Sequence, residues 1–226
     1  MITDDPWLIR ILKEGYKLEF DQLPPLSSVP TIDSTPKNPN KFAAMQDLIE
    51  SMLEKAVIEE VQDNSPGFYS RFFIVPKRDS NKWRAILDLS TLNKFVSKQK
   101  FKMDTAEFIR EQLHQGDWAT SLDLSDAYHH VLIHPSHRKY LRFMFNGKVY
   151  QYQALVMGLT SSPRIFTRII KAIRQFLQYR NIVIHQYLDD WLIQGKSPEV
   201  TTVHTQVLLH IAKHLGWLVN LEKLDL

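Results

Sequence analysis

Between Ile182 and Gln194 the chain runs through two apolar, strand-like stretches. They are Ile182-Val183-Ile184-His185-Gln186-Tyr187 and Trp191-Leu192-Ile193-Gln194, with only Leu188-Asp189-Asp190 between them. So short a link joins antiparallel neighbours, because parallel strands need a crossover of about a dozen residues or more. Adjacent acids in a turn are ordinarily solvated, and that plain reading comes first. The flanks weaken it. They are apolar enough to hold the turn against a domain, where neighbouring carboxylates repel unless a cation compensates. A divalent metal is the obvious cation.

The strand–turn–strand pattern recurs. Phe72 to Pro76 and Trp83 to Leu87 flank the polar stretch Lys77 to Lys82, which reads as a hairpin with a basic tip. Tyr140 to Phe145 and Lys148 to Tyr152 flank Asn146-Gly147, a strong hairpin signal. Val57 to Val61 reads as a strand, and so does Ala119 to Leu124, with Asp123 at its end. Apolar spacing predicts a short amphipathic helix within residues 1–20, ended by Gly15, and further helices over 41–55, 104–115, 162–180 and 198–215. A helical turn is expected from Ser125-Asp126. Pro24, Pro25, Pro30, Pro36 and Pro39 make residues 21–40 an extended arm. This order suits an antiparallel sheet backed by helices, an α+β fold.

Hydrophobic residues make up 44% of the 226, enough for a core. The net charge of +3 gives no sign of nucleic-acid binding, so a basic groove would need local clustering. With no cysteine, disulfides, cysteine zinc sites and a cysteine nucleophile are excluded. No apolar run approaches the ~18 residues of a membrane span, and the start MITDDPWLIR is acidic where a signal peptide is basic. An intracellular chain, in cytoplasm or nucleus and off the membrane, is expected.

A second acid cluster is Leu122-Asp123-Leu124-Ser125-Asp126-Ala127-Tyr128. Alone, Asp123 reads as a cap or core-edge acid. Together with the acid pair it suggests a site for two hard cations. Oxygen ligands suit magnesium, which keeps waters and substrate phosphates as its other ligands. Two such ions can activate a hydroxyl and stabilise a leaving pyrophosphate. Lys77, Lys82 and Arg84 are ordinary surface cations taken singly, but phosphoryl transfer needs cations around a triphosphate. Small residues from Gly158 to Pro163 allow close approach at a helix start, with Ser162 as a simple cap the plainer reading. His210 and His214 share a helix face but lack a third zinc ligand. His129 and His130 read as packing or surface, and Tyr150 and Tyr152 as core.

Five blocks stand in order: KRDSNKWRAILDLSTLN, SLDLSDAYHHVLIHP, LVMGLTSSPRIF, QYLDDWLI and GWLVNLEK. Over roughly residues 40–226 the chain resembles the polymerase domain of reverse transcriptases. PWLIRILKEGYKLEF and the leucine of YLDD resemble retrotransposons of the DIRS type, with gypsy-type elements and retroviruses more distant. The resemblance implies a right-hand α+β fold of fingers and palm, the antiparallel palm sheet packed on helices. Residues 1–40 would be an N-terminal helix and arm, 41–98 and 131–160 fingers, and 99–130 and 161–226 palm. The chain would stop before the primer grip and thumb.

The implied activity is RNA-directed DNA polymerisation. A primer 3′-hydroxyl on an RNA or DNA template attacks a dNTP, with two Mg2+ ions, or Mn2+, in the site. By position, Asp123, Asp189 and Asp190 match the family's catalytic carboxylates, the first two as main metal ligands, with the Leu124 carbonyl completing a metal site. Lys77 and Arg84 match the cations that hold the triphosphate, and backbone amides around Asp126 and Ala127 would face it. Tyr128 matches the bulky residue under the sugar, which excludes a 2′-hydroxyl. Lys223 matches a lysine proposed to protonate the pyrophosphate. Met157 departs from the glutamine or phenylalanine that many relatives set against the nucleotide. Two rivals remain open. One is an inactive polymerase-fold domain kept for nucleic-acid or protein binding. The other is a metal-dependent nuclease, which has no need of Lys77, Arg84 or Tyr128.

Overall fold

The computed structural model describes residues 2–63, 65–77 and 82–221. In chain order the elements are α1 (Pro6–Glu14), α2 (Pro39–Glu54), β1 (Ile58–Glu60), β2 (Arg71–Pro76), β3 (Trp83–Asp88), α3 (Ala106–Gln112) and β4 (Trp118–Asp123). Then come α4 (Pro135–Arg138), β5 (Arg142–Phe145), β6 (Lys148–Tyr152), α5 (Ser162–Gln178), β7 (Val183–Tyr187), β8 (Asp190–Gly195) and α6 (Pro198–His214). Two 3-10 turns lie at Leu92–Lys94 and Ala127–His130. The chain divides into two units, one of Met1–Ile9, Lys100–His130 and Pro163–Leu226, the other of Arg10–Gln99 and Val131–Ser162. The fold is α+β, and all three sheets pair antiparallel.

In the first unit the sheet order is β4-β8-β7. One face buries Leu122, Ile184, Trp191 and Ile193, as the two-residue alternation of strands requires. α6 packs on β4 and β8. It starts where Ser197 accepts the Val200 N–H and Pro198 occupies the first turn. Gly195 is required where β8 leads into α6, because a Cβ there would lie 2.9 Å from the Thr201 backbone nitrogen. α5 buries Ile165, Phe166, Ile169, Ile170, Ile173 and Leu177, a helical stripe. The N-terminal stretch belongs to this unit: Arg168 bonds Asp5 at 2.9 Å and its guanidinium lies 3.8 Å from the Trp7 ring centre.

The second unit holds a sheet of order β1-β6-β5 and the hairpin β2-β3. Asn146 and Gly147 both take positive φ, +49° and +74°, the turn geometry that their residue types favour. Phe143 stacks against Phe72 at 4.3 Å and Tyr150 at 5.4 Å between ring centres. The proline-rich stretch is extended, as expected, and it is strapped to the rest of the unit. Ser27 and Gly67 exchange backbone bonds of 2.9 Å, and Ser34 N–H reaches the Met144 carbonyl at 3.0 Å. Proline removes some donors, and the remaining ones find partners along the unit. No described helix is long and apolar enough to cross a membrane.

Candidate active site

The turn between β7 and β8 has two residues, Leu188 and Asp189. Asp190 is the first residue of the central strand β8, with Tyr187 opposite on one side and Asp123 opposite on the other. The sequence places Asp190 in the turn; pairing on both flanks draws it into the sheet. Leu188 takes φ +54°, a left-handed conformation that costs a non-glycine residue about 1 kcal/mol or more. The turn is held in place regardless. The Trp191 indole N–H donates to the Leu188 carbonyl at 3.0 Å, and Leu124 N–H donates to the Asp189 carbonyl at 3.0 Å.

Residues 217–220 lie along the other flank of the Asp123–Leu124 step. Asn220 N–H reaches the Asp123 carbonyl at 2.9 Å, Ser125 N–H reaches the Leu218 carbonyl at 2.8 Å, and Leu124 bridges to Val219. Asp123 is thus clamped between the acid turn and a segment ~100 residues further along the chain. Burial does not follow the sequence expectation: Asp189 and Asp190 are exposed and Asp123 is half-buried. The hairpin is held against the unit by Ile184, Trp191 and Ile193 while the acids project from its end.

Aromatic rings support this corner. Trp217 stacks on His130 at 5.3 Å and lies 5.6 Å from Phe166 and 6.1 Å from Trp191. Tyr128 meets Phe166 edge-on at 5.2 Å. Burial pushes the Tyr128 phenol up to about 12, and the Asp189 charge adds to the shift, so that carboxylate lies close enough to act on the ring. Asp126 has φ +51° and leads into a 3-10 turn of four residues, shorter than an α-helical start. His129 N–H closes it on the Asp126 carbonyl at 2.8 Å. Ala127 is buried and Asp126 exposed.

In the second unit the β2–β3 register sets Arg84 opposite Val75, and Lys77 N–H donates to the Lys82 carbonyl at 2.9 Å. By strand alternation Lys77, Lys82 and Arg84 share one face, opposite the face that buries Phe72, Ile74 and Leu87. All three cations are exposed. Met157 is 57% exposed on a turn of the same unit. Ser162 does not cap α5; it is fully buried and its hydroxyl donates to the Val156 carbonyl at 2.8 Å. Lys223 and the hairpin-tip residues Arg78, Asp79, Ser80 and Asn81 lie outside the described residues.

Sequence reasoning missed two residues. Trp217 gives a local signal, an aromatic beside a helix-ending glycine, but nothing local names the rings it joins. Asn93 stands inside the first block and bonds a turn 65 residues away.

Asp123, Asp189 and Asp190 offer only oxygen donors, exposed or half-buried at one end of a sheet. That set fits a hard divalent cation that keeps waters and phosphate oxygens, and is wrong for a soft metal. Among the described residues no group of three His, Asp or Glu side chains forms a ready-made metal cage.

The structure of the prototype foamy virus protease–reverse transcriptase is similar to this chain, with a TM-score of 0.74 and 21% identity. The match covers 92% of this chain and 27% of that one, so this chain spans about a quarter of its length. At that identity the likeness is one of fold. Residues 75–226 match the family model described as reverse transcriptase (RNA-dependent DNA polymerase). That stretch contains both acid motifs and the paired strands that carry them, and the chain belongs to the reverse transcriptase family.

Proposed function

We propose that this chain is the polymerising part of a retrotransposon reverse transcriptase, most like DIRS-type elements, that extends a primer 3′-hydroxyl with dNTPs on an RNA or DNA template. The observation that carries this reading is the register that sets Asp190 opposite Asp123, with the Asp189 carbonyl bonded to Leu124 N–H. Acidic residues that the strand register brings to one sheet end suit a site built around cations.

In this reading the first unit is the palm and the second supplies the fingers. Asp123 and Asp189 are the main holders of Mg2+, with Asp190 and the Leu124 carbonyl as further donors; the same donors suit Mn2+. Bound there, the metal activates the attacking hydroxyl and neutralises charge on the departing pyrophosphate. Lys77 and Arg84, on one face of a hairpin, balance the triphosphate charge. Backbone amides around Asp126 and Ala127 add donors beside it. Tyr128, backed by Phe166 and neutral at physiological pH, stands under the sugar and discriminates by bulk. Met157 contacts the nucleotide, and Lys223 gives a proton to the pyrophosphate.

Primer extension with Mg2+ or Mn2+ on matched RNA and DNA templates tests the reading. Template-directed DNA product on RNA supports it. Primer cleavage without incorporation would replace it with a nuclease, and duplex binding with neither reaction would leave an inactive polymerase-fold domain.

A further inference from the structure

The turn that carries Met157 is tied to a distant part of the chain by the Asn93 side chain, beside the local Ser162 bond to Val156. Asn93 Nδ2 donates to the Gly158 carbonyl at 2.8 Å, and Thr160 N–H donates to Asn93 Oδ1 at 2.9 Å. The two bonds use both ends of the carboxamide. They also fix its orientation, since a carbonyl only accepts and an N–H only donates. Gly158 has φ +93°, and a Cβ there would meet only the Leu87 carbonyl, at 3.9 Å. Glycine is therefore needed for backbone conformation, not for space. Leu155, Val156 and Leu159 are buried around the turn, and Met157 alone among its large side chains points to solvent.

Asn93 is itself firmly placed. It sits in the Leu92–Lys94 turn, between Leu92 and Val96, both at most 1% exposed, and its N–H bonds the Leu89 carbonyl at 2.8 Å. Leu89 directly follows β3, the strand that carries Arg84. One polar side chain thus links the strand bearing a triphosphate-binding cation to the turn bearing Met157, entirely within one unit.

We infer that Asn93 is a positioning residue that sets the Met157–Gly158 turn relative to β3 and so governs nucleotide affinity. This rests on the polymerase reading above, in which Met157 touches the nucleotide. Asn93→Asp keeps size and the acceptor for Thr160 but sets a carboxylate against the Gly158 carbonyl. Asn93→Ala removes both bonds.

Steady-state extension with each variant, alone and combined with Met157→Ala, tests the proposal. KM for dNTP is expected to rise about tenfold with kcat within about twofold. In the Met157→Ala background the Asn93 substitutions should add little, because they act through the same turn. An unchanged KM, an equal loss in kcat, or full additivity with Met157→Ala overturns the proposal. Amide hydrogen exchange gives a readout free of activity: Thr160 N–H should exchange at least tenfold faster in Asn93→Ala, which removes its acceptor, measured against amides of β6. Equal exchange at Thr160 removes the clamp even if the protein polymerises. A parental protein that extends no primer refutes the polymerase reading and with it the link to nucleotide affinity, while Thr160 exchange still decides whether the clamp exists.

Discussion

Replacing Asp189 with Asn tests the charge argument most directly. The side chain is exposed, so little packing is lost, and the backbone carbonyl that accepts from Leu124 N–H is retained. What is removed is one negative charge beside Asp190 and near Asp123. At the dielectric of water, like charges even about 4 Å apart repel by only about 1 kcal/mol, and more distant ones by less. Two neighbours therefore cost about 1 kcal/mol at low salt, and less at physiological ionic strength. Without divalent metal the variant should thus be slightly more stable than the parent, with Tm higher by about 2–4 °C for a chain of this size. With Mg2+ the order should reverse. The parent gains stability by binding the ion in its folded state, and the variant gains less. Extension should fall about 1000-fold, about 4 kcal/mol of transition-state stabilisation.

A fourth readout follows from Tyr128. Burial first and the Asp189 charge second hold the phenol up, so its ultraviolet titration should move down slightly in Asp189→Asn while burial keeps it raised. Calorimetry with EDTA or Mg2+, phenol titration and primer extension check the four parts. A variant that is destabilised without metal and keeps the parental Mg2+ shift would refute the carboxylate cluster as a cation site.

Tyr128→Ala should raise kcat/KM for ribonucleotides relative to deoxynucleotides, and an unchanged ratio would make Tyr128 a packing residue only. His137 lies among Phe20, Tyr140 and His134; burial first, then the His134, Lys17 and Lys139 charges, lower its pKa from 6.5 to about 4. The folded state holds it neutral, so its contribution is complete above pH 6.5 and is lost as pH falls toward 4. Solvent around this half-buried ring screens part of the shift, so the loss is about 1–2 kcal/mol, and the slope of unfolding free energy over that window should flatten in His137→Phe. Gly195→Ala should cost about 2 kcal/mol, read from urea unfolding, because the added methyl meets the Thr201 backbone and α6 has to shift.

The sequence alone carried the elements. Helices at α2, α5 and α6 and the three hairpins follow from apolar spacing, proline and serine at helix starts, and Asn146-Gly147, all signals that act within a few residues. The two acid motifs are legible in the same way, as local strings. Their meeting is not local. β4 lies about 70 residues from β8 and pairs with it only through backbone hydrogen bonds that carry no residue-specific code, so no nearby residue announces Asp190 as the partner of Asp123. The segment 217–220 alongside Asp123, the Trp217 stack on His130 and the Asn93 bonds to the Gly158 turn have the same origin. The exposure of the acids also had to come from the fold. Apolar flanks show that a hairpin is held against a core, but which end of it projects into water depends on the length and register of the strands beside it. Tertiary pairing also decided the left-handed Leu188, because a two-residue turn between registered strands demands a positive φ that leucine's own preference would not choose.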